Sequence, residues 1–193
     1  MKRLCVFCGS SPGASPKYAD AAWELGTAIA SRGIGLVYGG AHLGLMGLLA
    51  DAVLARGGTV TGVLPRFMAD RELAHPGLSE LHLVDTMHER KQIMARMSDG
   101  FVAMPGGFGT FEEIFESITW GQLRLHESPC AFLNVAGYYD PLREFLRRAA
   151  AEGFVRAGDM DALLFADSVG ELFSLLEAAS PGPVPAHDVA ERI

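Results

Sequence analysis

A glycine-rich turn near the middle of the chain brings together groups that could act on a phosphorylated ligand. Gly106, Gly107 and Gly109 separate an apolar, strand-like run from a helix-like run. Glycine lets the backbone approach a ligand closely, and the helix that follows directs its positive end at the same place. Glu112 and Glu113 lie one turn further on. The pattern predicts a phosphate site beside an acid or base, which indicates chemistry on a nucleotide.

Glu113 also has an interpretation that needs no substrate. The segment Thr110-x-x-Glu113 fits a capping box, in which the threonine hydroxyl caps a helix and the glutamate reaches back to its first residue. Helical periodicity places Phe111 and Ile114 on an apolar face, and Glu113 projects away from that face, toward a cleft or solvent. The sequence leaves the catalytic and the capping role open.

A second charged group lies on a helix predicted over residues 87–98. At about 100° per residue, Arg90 falls near the middle of an apolar stripe of methionines and an isoleucine, and Lys91 lies toward its edge. An arginine in such a stripe is costly unless a carboxylate or a phosphate pairs with it. The alternative is a snorkelling arginine whose charged head reaches water. A capping-box pattern that starts at Thr86 places Arg90 close to the helix N-terminus.

Short apolar runs alternate with longer helix-like runs over most of the chain. Predicted strands cover residues 4–8, 35–38, 59–64, 81–84, 101–104, 131–135 and 163–166. Predicted helices cover residues 16–32, 44–56, 87–98, 111–123, 141–152 and 169–179. This alternation predicts an α/β fold with a doubly wound parallel sheet between two layers of helices.

Glycine clusters follow the first, second and fifth predicted strands. They are Gly9-Ser10-Ser11, Gly39-Gly40 and the turn over residues 106–109. In doubly wound sheets ligands bind beyond the carboxyl ends of the strands, so the three clusters predict one common site. The turn that starts at Gly39 matches neither the dinucleotide fingerprint nor a Walker loop. It fits a ligand-binding turn and a tight packing turn equally well.

Length and composition limit the class of protein. A chain of 193 residues, 49% hydrophobic and 20% charged, is typical of one globular domain. We predict this domain over residues 1–180 and a proline-rich, disordered tail over residues 181–193. The net charge of −7 argues against a nucleic-acid surface. No apolar run approaches the roughly 20 residues of a membrane span, and the N-terminal run lacks the features of a signal peptide, so we expect a cytoplasmic protein.

The cysteine, histidine and lysine residues offer few candidates for redox, metal-binding or Schiff-base chemistry. Cys5 and Cys8 imitate a CxxC pair, but within a strand two buried thiols are favoured over a redox or zinc pair. The six histidines show no HExxH or other metal-ligand spacing, so we predict no metal site. Only three lysines are present, which leaves few candidates for a Schiff base, and no cofactor is predicted.

These residues resemble a known family. The segment from Pro105 to Glu113 matches the PGGxGTxxE motif of the LONELY GUY proteins, which are cytokinin riboside 5′-monophosphate phosphoribohydrolases long mislabelled as lysine decarboxylases. Further matches cover residues 6–11, 37–40, 44–47, 87–91, 120–123 and 134–140, so that the resemblance extends over residues 3–178. One departure is Ala41, where the family more often has a third glycine.

The resemblance implies a Rossmann-like fold, a homodimer and an enzyme. The implied reaction is hydrolysis of the N-glycosidic bond of an N6-substituted adenosine 5′-monophosphate, with AMP as a second candidate substrate, to free base and ribose 5-phosphate. The resemblance assigns catalytic roles to Arg90 and Glu113. The implied substrate contacts are Ser10, Gly40, Glu72, Arg90, Lys91, Gly106, Gly107, Gly109, Thr110 and Thr119.

Other functions stay open at the level of sequence. A non-catalytic sensor or carrier of AMP-like nucleotides would use the same glycine turns. An NAD-dependent oxidoreductase would bind its cofactor at the same edge of the sheet. Lysine decarboxylase is the least favoured, because it would depend on one of three lysines. The separate roles of Arg90 and Glu113 are also open, since the arginine could neutralise phosphate, keep the glutamate ionised or aid departure of the base.

Overall fold

A parallel sheet of seven strands forms the centre of the protein. The structure is a computed structural model and describes residues 1–69 and 73–179. The strands are β1 (Arg3–Phe7), β2 (Gly35–Tyr38), β3 (Val60–Pro65), β4 (Glu80–Val84), β5 (Phe101–Ala103), β6 (Cys130–Leu133) and β7 (Leu164–Ala166), in the order β4-β3-β2-β1-β5-β6-β7. All neighbouring strands run parallel. The predicted doubly wound α/β fold is therefore confirmed.

Helices connect the strands and cover both faces of the sheet. Within the described residues they are α1 (Pro16–Ser31), α2 (Gly44–Ala55), α3 (Arg66–Ala69), α4 (Met87–Arg96), α5 (Phe108–Gln122), α6 (Asp140–Ala151), α7 (Ala157–Asp161) and α8 (Val169–Ala179), with a 3-10 turn at Val135–Gly137. The six long helices were all predicted. Residues 65–79, which contain α3, were predicted as a loop or a short helix, and α7 and the 3-10 turn were not predicted. The predicted disordered tail, residues 181–193, lies outside the described residues.

Two apolar layers hold this arrangement together, one on each face of the sheet. Side chains of α1, α2 and α8 pack on one face, and side chains of α4, α5 and α6 pack on the other. The inner strands are buried on both faces, as parallel strands between two helix layers must be, whereas β4 at the edge is mostly exposed. Because the inner strands are buried on both faces, their sequences are continuous apolar runs.

Cys5 and Cys8 belong to different faces of the sheet. Cys5 packs in the layer under α4 and α5, and Cys8 packs in the layer under α1 and α2. Burial raises the pKa of both thiols above the ordinary range. Thiols on opposite faces of one strand cannot join in a disulfide, so the CxxC alternative is wrong and both cysteines are packing residues.

The order of the strands reverses beside β1, because β2 continues the sheet on one side and β5 continues it on the other. The connections that follow β1 and β5 leave the sheet in opposite directions. Their separation opens a crevice at the carboxyl ends of these two strands. The turn after β1 carries Gly9, and the turn after β5 carries residues 106–109. The topology therefore brings two of the three glycine clusters to the same crevice.

Candidate active site

Three glycine turns meet at the carboxyl edge of the sheet. The Gly9 N–H donates to Pro105 O at 3.1 Å, which joins the turns after β1 and β5. The Leu45 N–H at the start of α2 donates to Gly9 O at 3.0 Å. A Cβ at Gly44 would lie only 2.3 Å from the carbonyl carbon of Ser10, so the turn after β2 also packs directly against the turn after β1. The convergence predicted from the sequence is confirmed.

The glycines of the 106–109 turn have two different roles. A Cβ at Gly106 would lie 2.1 Å from Thr110 Oγ1 and 2.9 Å from the Gly9 nitrogen, so close packing requires glycine there. At Gly107 and Gly109, no described atom lies within 4 Å of an added Cβ. The backbone at these two positions borders open space. A ligand can therefore approach this backbone more closely than a side chain would allow.

Helix α5 begins at Phe108, three residues earlier than predicted. Its N-cap is Gly107, and no side chain among the described residues caps it. Thr110 lies buried within the first turn, so the predicted capping box of Thr110 and Glu113 is wrong. The N–H groups at this helix start are left without a side-chain partner in the described structure, and they carry the positive end of the helix dipole. This is the geometry that favours an anion.

The carboxylate of Glu113 pairs with Arg90 rather than with its own helix. Arg90 Nη1 lies 3.0 Å from Glu113 Oε1, and both side chains are about nine-tenths buried. The Arg90 Nε–H donates to Val63 O at 3.0 Å. A Cβ at Gly39 would lie 2.1 Å from Arg90 Nη2, so the guanidinium presses against bare backbone at the end of β2. The snorkelling alternative is wrong, because the charged head points inward to a carboxylate.

Helix α4 presents Arg90 and Lys91 from its inner face. The predicted capping box at its start is confirmed, since Thr86 accepts from the Glu89 N–H and Glu89 accepts from the Thr86 N–H. The buried residues of the helix are Arg90, Lys91, Met94 and Ala95. The sequence placed Lys91 toward the edge of the stripe, but Lys91 is buried as deeply as Arg90. The buried face is therefore centred closer to Lys91 than the methionine spacing indicates.

Lys91 contacts two carboxylates of α5. Its Nζ contacts Glu112 Oε1 and lies 3.0 Å from Glu116 Oε2. Burial favours the neutral amine, but the hydrogen bonds and charges of the two carboxylates outweigh burial and raise the pKa of Lys91. The ammonium therefore stays charged and is directed at α5.

The environment of Glu113 favours acid–base chemistry. Burial raises the pKa of Glu113, and the positive charge of Arg90 opposes that effect. The negative charge of Glu112 raises the pKa further, while Lys91 lowers it. A buried carboxyl group whose proton affinity is raised but whose anion has a guanidinium partner can stabilise positive charge or accept a proton near neutral pH.

The remaining predicted contacts lie at different distances from this centre. Ser10 is exposed beside the start of α2, and Gly40 has a φ of +81° and accepts from the His75 N–H at 2.9 Å. Thr119 is exposed on the second half of α5, where its hydroxyl donates to Phe115 O at 2.8 Å, and the structure does not bring it to the glycine turn. Glu72 lies outside the described residues.

Three contributors to the site were missed from the sequence: the contacts of Tyr138 and Gly39, and the residue Glu116. The Tyr138 hydroxyl donates to Gly106 O at 2.5 Å and so braces the turn after β5 from the 3-10 turn after β6. Gly39 was recognised as part of a glycine cluster, but its contact with Arg90 was not predicted. No local pattern reveals either contact, because the partners are 32 and 51 positions apart in the sequence. Glu116 could have been found from its spacing of four residues after Glu112, which places both on one side of the helix.

Residues 1–69 and 73–179 contain neither a group of metal ligands nor a membrane-spanning helix. No three histidine, cysteine, aspartate or glutamate side chains in these ranges are grouped so that they could hold a metal ion. No helix in the same ranges is long and apolar enough to cross a bilayer.

Comparisons with known proteins show the family to which the chain is similar. The sequence model of a family described as "Possible lysine decarboxylase" matches residues 46–176. The cytokinin riboside 5′-monophosphate phosphoribohydrolase of Rhodococcoides fascians is 53% identical over 155 residues, which cover 80% of this chain and 78% of that protein. The Arabidopsis thaliana cytokinin riboside 5′-monophosphate phosphoribohydrolase LOG1 is 48% identical over 180 residues, which cover 93% and 84%.

Solved structures share the fold. The crystal structure of TM1055 superposes with a TM-score of 0.70 at 25% identity and covers 92% of this chain and 99% of that one. The molybdenum cofactor binding protein of Rippkaea orientalis superposes with a TM-score of 0.69 at 20% identity, covering 92% and 97%, and this likeness concerns the fold alone. Because close sequence relatives match nearly the whole of its length, the chain belongs to the LONELY GUY family of cytokinin riboside 5′-monophosphate phosphoribohydrolases.

Proposed function

We propose that this chain is an N-glycosidase that hydrolyses cytokinin riboside 5′-monophosphates to free base and ribose 5-phosphate. The substrate class is an adenosine 5′-monophosphate substituted at N6, with AMP itself as a second candidate. One observation carries the proposal: a buried Arg90–Glu113 pair lies in the same crevice as an uncapped helix start and two glycines that border open space. The names of the close relatives support the same reaction.

In the proposed mechanism, the phosphate and the glycosidic bond of the substrate contact different parts of the site. The 5′-phosphate binds the backbone N–H groups at Gly107 and Gly109 and the positive end of α5. Cleavage of the N-glycosidic bond places positive charge on the sugar, as in glycoside hydrolysis, and the Glu113 carboxylate stabilises that charge or activates the attacking water. Arg90 keeps Glu113 ionised through their 3.0 Å contact and offers its remaining N–H groups to the substrate.

The other proposed contacts are graded by their place in the structure. Ser10, Gly40, Gly106 and Thr110 belong to the turns that form the crevice, and we propose that they shape or line the substrate site. We propose Glu72 on the family resemblance alone. Thr119 requires a longer reach, since it lies two turns beyond Glu113 on α5. These assignments are tested by substitution.

Two alternatives from the sequence lose support. A sensor or carrier has no need for a buried carboxylate whose pKa is raised and which a guanidinium keeps ionised. A decarboxylase would need a lysine that reacts as a neutral amine, but the two carboxylates at Lys91 raise its pKa. Neither alternative is favoured by the names of the relatives.

We further propose that the protein acts in the cytoplasm as a homodimer. Three free, buried cysteines fit a reducing compartment. Exposed large apolar side chains such as Phe145 and Phe154 supply surface that a second copy could cover. Sedimentation velocity of the purified chain measures the assembly, and a monomer at micromolar concentration would contradict it.

The test of function is release of base from a defined nucleotide. The purified chain is incubated with N6-isopentenyladenosine 5′-monophosphate or with AMP, and free base and ribose 5-phosphate are quantified by chromatography. Glu113→Gln should lower kcat at least about 100-fold, because the anion is lost while shape and volume are kept. Nucleotide binding should change little, and the variant should still fold, with a lower melting temperature because the buried Arg90 guanidinium loses its anionic partner.

The matched control is Glu144→Gln, since Glu144 is an exposed residue of α6 whose ion pair is solvated. Its kcat should equal that of the wild-type enzyme. Turnover retained by Glu113→Gln would leave the glutamate with a structural role only. A wild-type enzyme that binds both nucleotides and releases no base would favour the sensor.

A further inference from the structure

Three ion pairs lie side by side between α4 and α5. Next to the Arg90–Glu113 pair, the Lys91 ammonium contacts Glu112 Oε1 and lies 3.0 Å from Glu116 Oε2. The Lys91 side chain is nine-tenths buried, so few of its N–H groups face solvent. An ammonium has three N–H groups, and two are directed at carboxylates of the same helix. Lys91, Glu112 and Glu116 are called the Lys91 clamp below.

The position of the clamp matters for Glu113. Glu112 and Glu116 are four residues apart, so they lie one above the other on α5, and Glu113 is between them in sequence. A rotation of α5 about its axis, or a shift of α5 along α4, would break at least one contact of Lys91. The first turn of α5 has no side-chain cap among the described residues. The clamp therefore adds a polar restraint to the apolar packing of Ile114 in orienting the helix that carries Glu113.

We propose that Lys91 is a positioning residue, which holds Glu112 and Glu116 so that α5 keeps the Glu113 carboxylate against the Arg90 guanidinium. The proposal rests on the proposed function, in which the Glu113 anion acts at the reacting sugar. It assigns Lys91 a different role from the substrate contact that the family resemblance implies. Loss of Lys91 should then reduce the rate of the chemical step rather than the affinity for the nucleotide.

Charge gives the clamp a second effect. The charged groups that act on Glu113 are Arg90 and Lys91 from α4 and Glu112 and Glu116 from α5. Glu113 in turn raises the pKa of the two nearby thiols, Cys5 in β1 and Cys8 just after it. Glu112 and Glu116 raise the pKa of Glu113, and Lys91 lowers it. Removing the ammonium should therefore move the protonation of Glu113 to higher pH, and removing one clamp carboxylate should move it to lower pH.

Steady-state kinetics on the full-length chain tests the proposal. With N6-isopentenyladenosine 5′-monophosphate, Lys91→Met should lower kcat about tenfold or more and change KM less than about threefold. The acid limb of its kcat/KM profile should move to higher pH. Glu116→Gln should move that limb to lower pH. Lys91→Arg keeps a cation that can contact both carboxylates, so its kcat should stay within about threefold of wild type.

Two controls remove charges elsewhere. Lys17→Met deletes a lysine of α1, and Glu144→Gln deletes an exposed carboxylate of α6. Both should leave kcat and the acid limb unchanged. A Lys91→Met enzyme with unchanged kcat and a KM raised more than about tenfold would overturn the proposal and make Lys91 a substrate contact. A Glu112→Gln, Glu116→Gln double variant with wild-type kcat would overturn it as well.

A measurement that needs no turnover, the NMR titration of Glu113, tests the Lys91 clamp independently of the reaction. In the enzyme labelled with 13C at glutamate carboxyl carbons, Glu113 is assigned from the resonance that Glu113→Gln lacks. Its titration midpoint should be higher in Lys91→Met and lower in Glu116→Gln than in wild type. An enzyme that releases no base but shows these shifts refutes the proposed function and retains the clamp, whereas base release without the shifts refutes the clamp.

Discussion

A methyl group added at Gly39 tests whether the position of the Arg90 guanidinium governs activity. The Cβ of an alanine there would lie 2.1 Å from Arg90 Nη2 and 3.5 Å from Met46 Sδ. Ordinary contact begins at 3.4 Å, so Nη2 must retreat by at least about 1.3 Å. The backbone at Gly39 is outside the left-handed region, so the alanine itself brings no strain. The substitution therefore acts on the guanidinium group of Arg90.

The size of the effect follows from what the retreat disrupts. Moving the guanidinium lengthens its 3.0 Å contact with Glu113 and strains the Arg90 Nε–H bond to Val63 O. Hydrogen bonds to charged groups contribute about 1.5–3 kcal/mol each, and the flexible arginine head can recover part of this by hydration. We expect a loss of about 1–3 kcal/mol in the free energy of unfolding. A misplacement of about 1 Å in a catalytic group lowers kcat/KM about 100-fold.

Base release and urea unfolding measure both quantities on the same preparation. The matched control is Gly170→Ala in α8, where no described atom lies within 4 Å of the added Cβ. It should keep wild-type activity and lose no stability, since alanine is the better helix former. If Gly39→Ala keeps kcat/KM within about threefold of wild type, the arginine position does not limit the reaction and the reasoning is refuted.

Three further predictions concern the same crevice. Gly109→Ala should leave the melting temperature unchanged and raise KM about tenfold, because its Cβ enters space that no described atom fills and that the phosphate would occupy. Burial raises the pKa of Glu113, so the acid limb of a kcat/KM profile should lie above the ordinary 4.5. The folded state then keeps a proton that the unfolded state loses as pH rises through 4.5, so the free energy of unfolding should fall over that window. Urea titrations from about pH 4 to pH 7 should show this slope in wild type and a flatter one in Glu113→Gln.

The sequence predicts the sheet well because apolar runs and their lengths are visible locally along the chain. Central strands such as β2 and β3 are buried on both faces, and their apolar runs are visible without a structure. The helices that the sequence left open or missed are short: α3 has four residues and α7 has five. Segments of this length contain too few turns for a helical period, so their sequences cannot be distinguished from loops.

The sequence predicted that the glycine turns converge and that Arg90 needs a partner, but not the detailed contacts around them. The early start of α5 was missed because glycines were interpreted as loop, although Phe108 and Gly109 are helical. That error made Thr110 look like an N-cap. Arg90 was predicted to need a carboxylate or phosphate partner, and the partner is Glu113. Its support at Gly39 depends on how α4 lies against β2, which is a tertiary property.

The charges around Glu113 constrain where a nucleotide's phosphate binds. Arg90 and Lys91 contribute two positive charges, and Glu112, Glu113 and Glu116 contribute three negative charges, so the group carries one net negative charge. The whole chain is also acidic, at −7. A phosphate next to this group would be repelled, whereas the uncapped start of α5 offers N–H groups without a negative neighbour in its first turn. The electrostatics therefore favour one orientation for the proposed substrate, with its phosphate at the helix start and the sugar carbon that becomes positive toward the carboxylates.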